Sequence, residues 1–187
     1  LSWLARTRCQ FAQQPENPQE ETQPQPFDHA YHLPKKARNQ MAAKSDFLEN
    51  KIIDWLFRGQ SYTPPATLYF ALLTTNTDDD GSPLVEVSGG SYARAGVAAS
   101  LTNFAGTQGA GTTVASTGNT GTTSNNVAIT FPAPTANWGS VTGMAVYDAP
   151  TGGNMLIYTA LTLPKTVNNG DAAPVFSAAA FTYQDDN

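Results

Sequence analysis

The chain has 187 residues, and only 13% of them are charged, against about 25% in an average globular protein. Ten basic and fifteen acidic residues leave a net charge of −5, which argues against nucleic acid as the main partner, because phosphate binding requires clustered Lys and Arg. The single cysteine, Cys9, excludes an intrachain disulfide and leaves an intermolecular one open, and no apolar run approaches the ~18 residues of a membrane-spanning helix.

Composition divides the chain into three zones. Residues 1–40 are rich in Gln, Pro and Glu, a mixture that buries too little apolar surface to fold alone and favours extended chain. This zone is close to neutral, with Arg6, Arg8, Lys35, Lys36 and Arg38 against four acids, whereas the rest of the chain is acidic. Residues 1–5 are too short an apolar start, and too soon followed by Arg6 and Arg8, for a signal peptide. Met41 opens a stretch that reads as a fresh start. Residues 1–40 are therefore either translated upstream sequence or, as expected here, an extended arm that orders against neighbours through Trp3, Leu4, Phe11, Phe27 and Tyr31.

Residues 41–60 carry the one helix signal. Asp46 with Glu49 three positions on predicts an N-terminal capping pair, and Leu48, Ile52, Trp55 and Leu56 recur on one face. Gly59 is placed to stop the helix. Such a one-sided helix packs either on its own β-domain or between subunits.

From residue 61 to 187 the pattern is β. Residues 67–74 form a nearly continuous apolar run, as expected of a central strand, and Asp78-Asp79-Asp80-Gly81 lies in the turn after it. Further strands are expected at residues 85–87, 92–97, 127–131, 141–147, 155–161 and 175–183. Gly, Pro and Asn punctuate them, as in a β-sandwich of jelly-roll type. Residues 105–125 are low-complexity Gly, Thr, Ser and Ala, expected to be a mobile loop or a ribbon held by neighbouring copies.

Catalytic constellations do not rise above noise. The two histidines, His29 and His32, both fall in the arm, where ligand geometry is not fixed. The acidic turn lacks the ligand spacing of a calcium loop. Gly89-Gly90 lacks the Lys-Ser or Lys-Thr pair of a phosphate-binding loop and reads as a tight bend, and Arg94 after it reads as half of a structural ion pair. Paired carboxylates for glycoside hydrolysis are not evident, so an enzyme is not expected, and no cofactor or metal is implied. Trp138, at a strand entrance, is the aromatic expected to be most exposed and so the candidate for stacking a host-surface glycan.

Several ordered motifs carry a resemblance: Lys44-Ser45-Asp46-Phe47-Leu48-Glu49-Asn50-Lys51, Tyr62-Thr63-Pro64-Pro65-Ala66-Thr67-Leu68-Tyr69, Glu86-Val87-Ser88-Gly89-Gly90-Ser91-Tyr92-Ala93-Arg94, Ala136-Asn137-Trp138-Gly139 and Pro164-Lys165-Thr166-Val167-Asn168-Asn169-Gly170-Asp171. Over residues 41–183 the chain resembles small tailed-bacteriophage virion proteins commonly labelled phage tail fibre proteins. The 105–125 segment is longer than that family usually carries, and residues 1–40 have no counterpart. The resemblance implies a non-enzymatic structural component of the virion, assembled in the bacterial host cytoplasm. Its expected partners are itself, as a homotrimer, and major capsid or tail and neck proteins. An ordered arm and the lack of repeats favour head decoration, a cement role, over a tail fibre, collar or neck. The helix stripe and the arm aromatics are the expected attachment surfaces.

Overall fold

The computed structural model describes residues 43–75 and 84–185. It is all-β with one short helix, the class expected from the sequence. The chain enters as a two-residue strand, β1 (Ala43–Lys44), and turns at Ser45 into α1 (Asp46–Phe57). Ser45, not Asp46, is the N-cap: its hydroxyl oxygen accepts from the Leu48 amide at 3.3 Å and donates to the Met155 carbonyl. A carboxylate has no proton to donate to that carbonyl, so a buried hydroxyl suits the position. Asp46 and Glu49 fall in the first turn, where their charge meets the positive end of the helix. The helix stops at Arg58, whose amide reaches the Asp54 carbonyl, and Gly59 follows with φ +67°.

The main sheet has six strands, all antiparallel. Its order is β1, β8 (Met155–Val167), β7 (Gly139–Tyr147), β2 (Thr67–Thr75), β3 (Val85–Glu86), with β4 (Ala95–Ala98) also paired to β2. β2 is a central strand with neighbours on both edges, and its residues 70–73 are apolar and buried on both faces. Phe70 stands opposite Val146 and Leu72 opposite Met144, giving one face a row of large side chains. Between the Val141–Lys165 and Gly143–Ala160 pairs, four residues of β8 (Leu161, Thr162, Leu163 and Pro164) oppose the single Thr142. The outer edge of β8 meets β1 only at Ile157 and Tyr158.

Against this large-residue face lie two short ribbons instead of a second full sheet. One joins β5 (Thr122–Ser124) to β10 (Thr182–Gln184), the other β6 (Ile129–Thr130) to β9 (Val175–Phe176). They bring Ile129, Phe131 and Phe181 into the core with Phe70, Leu72, Met144 and Val146. Phe181 meets Phe70 edge-on at 5.1 Å. The long 175–183 strand expected from sequence is thus two short strands with a turn between them.

The 105–125 segment is bonded to itself and to the body of the same chain. The Gly106 amide donates to Thr112 Oγ1, the Thr107 amide to Ser116 Oγ, and Gln108 Nε2 to the Ala115 carbonyl. Asn125, fully buried, fastens its end: Nδ2 donates to the carbonyls of Val127 and Ser177 at 2.8 Å, and Oδ1 accepts from the Phe181 amide at 2.8 Å. The side chain adds to the short backbone pairing of β5, and neither gives a periodic pattern in the sequence.

Candidate functional site

Between β3 and β4 the chain bends at Gly89 and Gly90, with φ of +77° and +52°, and the bend returns Arg94 to the side of Glu86. Arg94 Nε and Nη2 donate to the two carboxylate oxygens of Glu86 at 2.9 and 2.8 Å, and Nη1 donates to the carbonyls of Ala149 and Gly152, each at 2.8 Å. The guanidinium lies 3.5 Å from the centre of the Tyr147 ring, a stacking and charge contact that favours Arg over Lys. Tyr92 completes the cluster, donating to Glu86 Oε1 and accepting from the Leu72 amide, both at 2.9 Å. Burial, with Glu86 alongside, pushes the Tyr92 phenol far above its ordinary range. The expected ion pair is present, and its donors are directed into the protein.

Trp138 corrects the sequence reading. It is only 5% exposed, its ring meets Tyr92 edge-on at 5.3 Å, and its Nε1 donates to the Gly90 carbonyl at 3.1 Å. It is a core residue and offers no face to a sugar. The asparagine and glycine beside it make it look like a loop residue, but its backbone amide pairs with the Val167 carbonyl. Gly90 explains the tight fit nearby, because a Cβ at that position would lie 2.6 Å from that of Ala136.

Two clefts flank the ribbons. One, about 320 Å³, is lined by Leu68, Phe70, Leu101, Phe104, Ile157 and Tyr183 among others; the second, about 260 Å³, lies between β8 and β10. Tyr183 is held by its bond to Asp185, which also pairs with Lys44. Burial and then Asp185 push the Tyr183 phenol up. The cleft walls are suited to packing and present no convergent acid–base pair among the described residues.

The helix is different. Phe47 and Leu48 pack against the core and Ile52 is half-buried, whereas Ile53, Trp55, Leu56 and Phe57 are 49%, 59%, 59% and 77% exposed. The four expected helix residues therefore divide: Leu48 and Ile52 face the body, and Trp55 and Leu56 face outward. Sequence reasoning missed Ile53 and Phe57, although their i, i+4 spacing beside Leu56 signals that the second half of α1 has little polar face. The arm candidates Trp3, Leu4, Phe11, Phe27 and Tyr31 lie outside the described residues, as do His29, His32 and the acidic turn at 78–81.

No curated protein matches the sequence. A family model described as podophage GP4 fiber I protein gp80 matches residues 43–184, from β1 to the last residue of β10. The chain therefore belongs to this family of phage fibre structural proteins.

Proposed function

We propose that this protein is a non-enzymatic, homotrimeric component of a fibre-type appendage on a tailed-phage virion, joined there to other virion proteins. The family match across nearly the whole described domain carries this reading. The Arg94–Glu86 cluster supports it, because its charges brace strands and a hairpin instead of facing a cleft. A glycan-binding role loses its main support with the burial of Trp138. The cement reading rests on an arm outside the described residues, so the fibre reading takes precedence.

Cryo-electron reconstruction of the intact particle tests the proposal. Density for this domain in threefold clusters on the tail or neck is the expected result. A regular array over the capsid lattice would replace the fibre reading with head decoration, and absence of the chain from purified particles would remove the virion role.

A further inference from the structure

We infer that the outer edge of β8 beyond Tyr158, with the cleft of about 260 Å³ beside it, is the docking site of this chain's own residues Gln40, Met41 and Ala42, which continue β1 as a strand. The inference goes beyond the virion reading and does not depend on it. β1 sets direction and register. Ala43 stands opposite Tyr158 and Lys44 opposite Ile157, so the chain followed backward from Ala43 runs toward Thr159 and Ala160. The Ser45 amide donates to the Leu156 carbonyl at 2.9 Å. In an antiparallel pair such bonded positions recur at every second residue, so Tyr158 and Ala160 also turn their backbone groups outward. Thr159 turns its own toward Met144 of β7. β1 as described ends before it reaches the Ala160 amide, and the same register carried on brings Met41 opposite it.

The cleft suits the side chains that this register supplies. Its walls include Met144, Phe181, Thr159, Thr162, Thr182 and Gln184, and no charged residue among the described ones lines it. Thr159 pairs with Met144 and shares its face. Ala42, opposite Thr159, therefore faces the cleft, and by the two-residue period of a strand so does Gln40. Both are uncharged: a methyl for the apolar floor, and an amide that can bond threonine hydroxyls. The point of entry is held firmly, because Lys44 pairs with Asp185 and Ser45 donates to the Met155 carbonyl. A segment joined directly to β1 arrives there at an effective concentration that no separate chain matches.

The test uses the full chain in a Cys9→Ser background. Ala42→Cys/Thr159→Cys puts two cysteines at a non-hydrogen-bonded pair, where Cα atoms lie about 4.5 Å apart and within disulfide reach. Met41→Cys/Thr159→Cys puts them on opposite faces of the sheet. The expected result is an intrachain disulfide, seen at monomer mobility on a non-reducing gel, that forms roughly 10-fold faster or more in the first pair. In a second measurement, hydrogen exchange is compared with that of Met41→Pro, whose ring would meet β8 in place of an amide hydrogen. The Ala160 amide of the unsubstituted chain should exchange roughly 100-fold more slowly than in this variant, with near-ultraviolet circular dichroism unchanged. Equal disulfide rates in the two pairs, disulfides formed only between copies, or an Ala160 amide that exchanges equally fast in both proteins would overturn the inference. The virion reading is judged separately, by the particle reconstruction.

Discussion

At Arg94, one side chain makes four hydrogen bonds that tie β3 and the start of β4 to the hairpin after β7. Removing it leaves the Ala149 and Gly152 carbonyls without this donor and the Glu86 carboxylate with Tyr92 alone. Arg94→Ala is expected to cost about 2–4 kcal/mol, read as a fall in thermal midpoint of roughly 5–15 °C. A midpoint within a degree of wild type would mean that the cluster does not brace the fold. Asn125→Ala should be comparably severe, about 2–5 kcal/mol, because it strands the buried Phe181 amide and removes the donor to the part-buried Val127 and Ser177 carbonyls. Neither residue's weight is visible in composition. Arg94 is legible as an isolated base in an acidic domain, while Asn125 is one polar residue in a polar run and only its three partners distinguish it.

Among the elements, α1 and β2 are the most legible, since apolar spacing and an unbroken apolar run mark them directly. The capping signal misplaces the cap by one residue, because the sequence shows the Asp46–Glu49 spacing but not the Met155 carbonyl waiting for a donor. Two substitutions separate the assignments in thermal melts. Ser45→Ala should cost about 1–2 kcal/mol, whereas Asp46→Ala should cost a few tenths, the usual effect of a charge near a helix start. Equal losses would restore Asp46 as the cap. The ribbon strands are the least legible, because two- or three-residue strands give no periodicity and are fixed by partners distant in sequence.

Across the whole molecule, stability should fall on the alkaline side. Burial raises the phenols of Tyr62, Tyr92, Tyr147 and Tyr183 in the folded state. In the unfolded chain they ionise near pH 10. Below that value both states keep the protons and stability is unaffected; above it the unfolded chain loses them first and is favoured. The denaturation midpoint should therefore begin to drop near pH 10 and keep falling above it, with a delayed rise in tyrosinate absorbance. Full ionisation of all tyrosines near pH 10 without unfolding would contradict the burial. On the acid side, Lys44 and then Tyr183 hold the Asp185 carboxylate below its ordinary range. That small contribution is present above the ordinary aspartate value and fades as pH falls through the lowered one.

The bulge in β8 bears on how growth is limited. An open strand edge propagates, since each arriving copy offers the next the same ladder of amides and carbonyls. Here Pro164, which has no amide hydrogen, and the charged Lys165 lie six and seven residues beyond Tyr158, the last β8 residue that pairs with β1, and neither suits an arriving strand. Addition of a further strand is disfavoured along this stretch of β8.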